Sequence, residues 1–141
     1  MKGVILMRFP QAHVIDLAHD IPAHWPPEAG FWISRSYQYF STGTVHVAIV
    51  DPGVGTERDI VLAILDEHLF MAPDNGLLDP ILQLSDEIYT LQEEKLKKYG
   101  IESPSLTFHG RDIFAPLAAE FAAGRITVED VAVKTSNWTP G

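Results

Sequence analysis

The sequence predicts an α/β domain with an open, mostly parallel sheet flanked by helices. Short apolar runs rich in β-branched residues recur along the chain, and stretches with helical spacing separate several of them. A run that is apolar at every position is typical of a strand covered on both faces. The chain has 141 residues, 46% of them hydrophobic, so it can bury one core of ordinary size.

The strands of this sheet are predicted by five apolar runs that turn residues bound: 13–17, 44–50, 60–65, 68–72 and 88–91. A helical stretch separates the first two runs, which gives a strand-helix-strand crossover. Such crossovers join parallel strands, so we expect the sheet to be mostly parallel.

Three stretches of the chain have helical spacing. Residues 26–40 start with prolines in the first turn and continue with an aromatic inner face that includes Trp32, Tyr37 and Phe40. Residues 77–84 and 113–123 form the other two, and Gly124 is expected to end the last one as its C-cap.

Composition excludes several classes of function. The chain carries 19 acidic and 10 basic side chains, a net charge of −9, so it would repel nucleic acid and anionic membranes. No apolar run approaches the roughly 20 residues that span a bilayer. With no cysteine there is neither a disulfide framework nor thiolate chemistry, which fits a cytoplasmic protein.

The first candidate site residues follow the apolar run 44–50. Open α/β sheets bind ligands beyond the carboxyl ends of their strands, and Asp51 comes directly after this run. Gly53 and Gly55 allow a sharp turn or a close approach to a ligand, and Arg58 ends the same loop. The alternative is that Asp51 belongs to an ordinary Asp-Pro-Gly turn and Arg58 is a surface charge.

Two further segments carry polar residues at the expected rim. Asp74, Asn75 and Gly76 match a tight turn with positive φ, and they bind ligand only if they face the same rim as Asp51. His109 precedes a predicted helix and has Gly110 beside it, which suits the orientation of an anionic nucleophile. A capping or packed histidine is the alternative.

The sequence does not favour metal or phosphate chemistry. Its six histidines lack the spacing of a zinc motif, and no thiolates accompany them, so no metal is expected. The glycine-rich segment 53–56 lacks the lysine of a P-loop, which makes it a poor cradle for a nucleotide phosphate.

Five motifs in a fixed order resemble the S-adenosylmethionine hydroxide adenosyltransferase family, adenosine-forming S-adenosylmethionine hydrolases related to the fluorinase and chlorinase enzymes. They are DLAH at 16–19, GTVH at 43–46, DPGVGT at 51–56, PDNGLL at 73–78 and TFHGRDIFAP at 107–116. The resemblance runs from Met1 to about Gly124, and five co-occurring motifs are far more specific than one.

The resemblance implies attack of water or hydroxide on the ribose 5′ carbon of S-adenosylmethionine, which releases L-methionine and forms adenosine without a cofactor. The sulfonium is already a good leaving group, so catalysis needs an aimed and desolvated nucleophile more than a strong acid. The family's catalytic set maps onto Asp51, Arg58 and His109, which would hold and polarise the water. Because the halogenating relatives lack this set, the resemblance favours hydroxide over halide.

The resemblance also implies substrate contacts and an assembly. An aromatic shelf at His24 or Trp25 and contacts near the methionine or the reacting centre complete the expected substrate-binding set: His24, Trp25, Asp74, Asn75, Phe108 and Gly110. Family members are expected to be homotrimers with an additional first strand and a C-terminal β-barrel-like domain. Residues 1–141 are thus expected to form a single α/β domain, an incomplete catalytic N-terminal domain without that strand and barrel.

Two other functions fit the same residues. A catalytically inactive or truncated module would bind a nucleoside or S-adenosylmethionine without chemistry. A halide-dependent adenosyl transferase is the third possibility, which the presence of Asp51, Arg58 and His109 disfavours.

Overall fold

The computed structural model describes residues 2–14, 26–48, 59–74, 76, 78–101 and 113–138. Its strands are β1 (Val45–Val47), β2 (Ile60–Leu65), β3 (His68–Pro73), β4 (Glu87–Leu91) and β5 (Ala132–Lys134). Its α-helices are α1 (Lys2–Arg8), α2 (Pro26–Ser36), α3 (Asp79–Leu82), α4 (Ala115–Ala122) and α5 (Val128–Val131). The strands form one sheet in the order β1-β3-β2-β4-β5, so the predicted open α/β sheet with flanking helices is confirmed.

The direction of the strands differs from the prediction. Among the described strands only β1 and β3 pair in parallel, whereas the β2–β3, β2–β4 and β4–β5 pairs are antiparallel. The sheet is therefore mixed rather than mostly parallel. The physical reason is the turn between β2 and β3, where Asp66 and Glu67 both have positive φ, 51° and 65°. This is the backbone of a two-residue hairpin turn, which returns the chain antiparallel to itself.

Three predicted strands match the structure within one residue, and the predicted run 44–50 contains β1. Residues 13 and 14 of the first predicted strand are not in a strand, and residues 15–17 lie outside the described part. The short strand β5 was not predicted. Its residues Val133 and Lys134 are exposed, so it lacks the apolar run that signals a covered strand.

Alternate residues of β2 pack on opposite faces of the sheet, as strand geometry requires. Ile60 and Leu62 belong to a core shared with α4 and α5, and Val61 and Ala63 belong to a second core shared with α3. All four side chains are no more than 3% exposed. The sheet is thus covered on both faces, as its apolar runs predicted.

The three predicted helical stretches are found, with α3 inside 77–84 and α4 inside 113–123, whereas α5 was not predicted. Residues 26–40 form α2 and a 3₁₀ turn at Tyr37–Tyr39, and Gly124 has φ +73° just after α4, as expected of a C-cap. Trp32, expected on the inner face of α2, is 56% exposed. Tyr37, expected on the same inner face, is 4% exposed in the 3₁₀ turn, which confirms this part of the prediction.

Two histidines lie in a partly buried aromatic cluster near the β2–β3 turn. His46 Nε2 is 3.0 Å from His68 Nδ1, and the His46 ring stacks on Phe70 at 4.7 Å. The Tyr37 hydroxyl, whose ring meets the edge of His68, donates a hydrogen bond to Asp66 at 2.6 Å. Burial, with a smaller contribution from His68, lowers the pKa of His46 to about 4.

The lowered pKa of His46 predicts loss of stability in acid. The unfolded state takes up a proton as pH falls below about 6.5 while folded His46 remains neutral, so stability is fully present above pH 6.5 and declines toward the folded pKa of about 4. Allowing for the partly exposed ring, we expect His46 to lower the free energy of unfolding by about 1 kcal/mol when the pH falls from 7 to 5. Urea denaturation at both pH values measures it. His46→Gln should show a smaller loss than the wild type, and equal losses would contradict the assignment.

The hairpin turn predicts a stabilising substitution. Glu67 holds a positive φ that costs a residue with a side chain roughly 1 kcal/mol and costs glycine little. Glu67→Gly should therefore raise the free energy of unfolding by about 0.5–1 kcal/mol in urea denaturation. Glu94→Gly is a matched control, because Glu94 is also exposed but has no positive φ, and it should be destabilising. A loss of stability in both variants would argue against a strained turn.

Candidate active site

One edge of the sheet, which we call the loop edge, receives the residues that flank the predicted site segments. Ala48, at the end of β1, donates its backbone N–H to the carbonyl of Met71 at 3.0 Å. Asp74 follows β3 and donates its N–H to the carbonyl of Asp59, which precedes β2, at 2.8 Å. The parallel β1–β3 pair and the antiparallel β2–β3 pair therefore place the end of β1, the start of β2 and the end of β3 side by side.

The start of α4 is anchored in the core. Ile113 and Phe114 directly precede the helix, are 2% and 1% exposed, and belong to the same core as Ile60, the first residue of β2. At the other end of the helix, Phe121 lines a cleft with Val45 and Leu69 near the hairpin turn.

The predicted catalytic residues lie outside the described residues. Asp51 and Arg58 belong to the segment between Ala48 and Asp59, and both of these flanking residues are at the loop edge. His109 belongs to the segment that leads into α4 at Ile113. The flanks of the first segment thus lie at the loop edge, and Ile113 shares the core of Ile60, which begins β2 there.

Most of the predicted substrate-binding residues also lie outside the described part: His24, Trp25, Asn75, Phe108 and Gly110. Asp74 is described. It is half-buried and begins the segment after β3, at the loop edge and beside the start of β2. The prediction from the sequence requires this turn to face the same rim as Asp51. Asp74 lies at the edge where β1 ends, and Asp51 itself lies outside the described residues.

Helix α3 holds the end of the segment that follows β3. Gly76 has φ +90° and is buried, which confirms the positive φ predicted at this position. The Asp79 N–H donates to the Gly76 carbonyl at 3.2 Å, and Leu78 is 2% exposed in the core. Residues 73–78, which we call the PDNGLL loop, therefore begin on a strand and end on a buried anchor.

Asp79 joins this loop to a distant part of the chain. Its carboxylate accepts hydrogen bonds from Gln83 Nε2 at 2.8 Å and from Trp138 Nε1 at 3.2 Å. Sequence reasoning assigned no role to Asp79 or Trp138. No local pattern indicates this contact, because the two residues are 59 positions apart.

The described residues contain neither a metal-binding group nor a membrane-spanning helix. No group of three or more histidine, aspartate or glutamate side chains is placed there to hold a metal ion. No helix in the same ranges is long and apolar enough to cross a membrane.

Residues 1–132 match the SAM hydroxide adenosyltransferase N-terminal domain. The chain belongs to this family. A crystal structure of an uncharacterized conserved protein from Thermotoga maritima superposes with a TM-score of 0.85 at 34% identity, covering 99% of this chain and 54% of that one. A conserved hypothetical protein from Thermus thermophilus gives a TM-score of 0.69 at 32% identity, over 94% of this chain and 50% of that one.

Relatives with assigned activities share the same name, (R)-S-adenosyl-L-methionine hydrolase. The protein of this name from Thermus thermophilus is 38% identical over 130 residues, which cover 88% of this chain and 51% of that protein. The protein from Salinispora arenicola is 37% identical over 86% of this chain and 46% of its own length. The chain spans about half the length of the curated relatives it matches.

The buried glycine of the PDNGLL loop predicts a destabilising substitution. Gly76→Ala should lower the free energy of unfolding by about 1–2 kcal/mol, because a side chain disfavours its φ of +90°. Urea denaturation measures the loss. Gly76→Asn should lose less, since asparagine tolerates positive φ better than alanine. An alanine variant as stable as the wild type would show that the turn does not require glycine.

Proposed function

We propose that the chain provides the catalytic domain of a hydrolase that converts S-adenosyl-L-methionine to adenosine and L-methionine. The observation that carries the proposal is the family match over residues 1–132, together with relatives at 35–38% identity that are named for this hydrolysis. The five motifs, read from the sequence alone, point to the same reaction.

The proposed reaction is a displacement at the ribose 5′ carbon. A water or hydroxide oxygen forms the new bond to this carbon as the carbon–sulfur bond breaks. The electron pair of the broken bond neutralises the sulfonium and leaves L-methionine as a neutral thioether, while the proton of an attacking water passes to a base. Because the leaving group is already activated, the protein must mainly aim the water and remove competing solvent.

Asp51, Arg58 and His109 are the residues proposed to act on the water. Asp51 and His109 would accept its hydrogen bonds and its proton, and Arg58 would keep Asp51 in its charged form. The flanking residues Ala48 and Asp59 support this grouping, because their backbone hydrogen bonds hold them at the loop edge, and Ile113 belongs to the same core as Ile60, which follows Asp59.

Substrate binding is proposed for the six residues that the family resemblance singled out. His24 or Trp25 would stack on the substrate, and Phe108 with Gly110 would contact it near the methionine or the reacting carbon. Asp74 and Asn75 would bind from the PDNGLL loop. The position of Asp74 beside Asp59 supports its part in this set.

The relatives' shared name suggests a finer substrate. Four relatives, among them the two described above, are named for the (R) form of S-adenosyl-L-methionine. We propose that this chain also prefers the (R) configuration at sulfur. The two forms direct the sulfonium methyl group differently, so a rigid site can separate them by steric exclusion.

Removal of a proposed catalytic side chain should abolish most turnover. His109→Ala and Asp51→Ala should each lower kcat by about a hundredfold, since a positioned proton acceptor or polar group typically contributes that much. Chromatography of adenosine and L-methionine, with each form of the substrate offered separately, measures turnover and preference. His13→Ala is a matched control, because His13 is an exposed histidine outside the proposed set.

Three outcomes would contradict the proposal. Tight binding of S-adenosylmethionine without adenosine would indicate a binding module. Formation of 5′-halo-adenosine on addition of chloride or fluoride would indicate halide transfer. Full activity in His109→Ala and Asp51→Ala would remove these residues from the mechanism.

A homotrimeric assembly and a cytoplasmic location are part of the same proposal. Light scattering of the purified chain, alone and with the substrate, tests the assembly, and a monomer at working concentration would count against it. The acidic, cysteine-free composition supports the location without specifying it.

A further inference from the structure

Trp138 makes a specific contact under the proposed substrate loop although it lies beyond the matched residues 1–132. Thr135 continues from β5 by donating its N–H to the carbonyl of Ile88 at 3.0 Å. The Thr135 hydroxyl then accepts the N–H of Asn137 at 3.1 Å, which bends the chain. This bend brings Trp138 onto the face of the sheet that α3 covers.

The indole of Trp138 has both an apolar and a polar partner. Its ring packs on the core that contains Leu78 and Ile81, the residues at the end of the PDNGLL loop and in α3. Its N–H donates to Asp79 Oδ1 at 3.2 Å, and Gln83 occupies the other carboxylate oxygen at 2.8 Å. A half-buried indole N–H ordinarily takes such a partner, so this contact also orients the ring.

Asp79 connects Trp138 to the PDNGLL loop. The same residue that accepts the indole N–H donates its backbone N–H to the Gly76 carbonyl at 3.2 Å. Leu78, the residue before it, accepts from the N–H groups of Ile81 and Leu82, both at 2.8 Å. The loop end is therefore joined to α3 by backbone hydrogen bonds, and Trp138 contacts the side chain of Asp79, which makes one of them.

We propose that Trp138 is a positioning residue, which through Asp79 holds the PDNGLL loop in the shape that binds substrate. The inference rests on the proposed function, because it assigns this loop to substrate binding. Trp138 contacts neither the water nor its proposed holders. Its loss should weaken substrate binding and leave the chemical step nearly unchanged.

Three variants separate the effect of the hydrogen bond from the effect of packing. Trp138→Phe keeps an aromatic ring on the core and removes the N–H. Asp79→Ala removes the acceptor, whereas Asp79→Asn retains an oxygen that accepts the indole N–H. We expect Trp138→Phe and Asp79→Ala each to raise KM for S-adenosylmethionine about three- to tenfold with little change in kcat, and Asp79→Asn to stay close to the wild type.

The double variant is the sharper test of coupling. If both residues act through one hydrogen bond, Trp138→Phe with Asp79→Ala should raise KM no more than the larger single effect. Trp32→Phe is the matched control, because Trp32 is an exposed tryptophan on α2 that should leave KM unchanged. Multiplying effects in the double variant, or an unchanged KM in Trp138→Phe, would overturn the proposal.

Hydrogen exchange supplies a readout that does not depend on turnover. The Asp79 amide, which donates to Gly76, should exchange faster in Trp138→Phe than in the wild type or in Trp32→Phe. Unchanged exchange would overturn the proposed attachment even in an active enzyme. Faster exchange in Trp138→Phe, combined with a wild-type chain that neither binds nor hydrolyses the substrate, would instead refute the proposed function, and the substrate role of Trp138 with it.

Discussion

The two-residue turn between β2 and β3 is the constraint on which the candidate site depends. It makes β2 antiparallel to β3, so the residue before β2 and the residue after β3 end at the same edge. The parallel pairing of β1 with β3 brings the end of β1 there as well. Without this reversal, Asp59 and Asp74 would lie at opposite ends of the sheet, about 20 Å apart over six residues of strand. The Asp74–Asp59 backbone bond is its direct consequence.

The proposed chemistry explains why polar site segments belong on such an edge. A sulfonium leaving group needs little acid catalysis, so the gain comes from placing one water accurately and keeping others out. Accurate placement requires that buried residues hold the ends of the site segments. Ile60, Leu78 and Ile113, which lie close to these segments in the sequence, are each no more than 2% exposed. A sheet covered on both faces meets this need, since its buried strands hold the starting points of the site segments.

The sequence predicted the parts of this structure whose signals are local. The runs at 60–65 and 68–72 are apolar enough to be strands in either direction, so their positions were right while their direction was not. Neither turn residue, Asp66 nor Glu67, is glycine, which usually marks a two-residue hairpin. The antiparallel direction of β2 and β3 was therefore not predicted. The positive φ of Gly76 was predicted because glycine adopts positive φ far more readily than other residues. The Trp138–Asp79 contact depends on the finished fold, and no residue pattern carries it.

His46 affects both stability and the neighbourhood of the proposed site. His68 begins β3 near the hairpin turn, whereas His46 lies in β1, two residues before Ala48 at the loop edge. Two residues of strand span about 7 Å, which is within the roughly 8–10 Å over which salt leaves exposed charges coupled. Protonation of His46 in acid therefore lowers the free energy of unfolding and also adds a positive charge close to the loop edge. Above pH 6.5, where folded His46 stays neutral and its folding contribution is constant, the pH dependence of the proposed reaction reports the site itself.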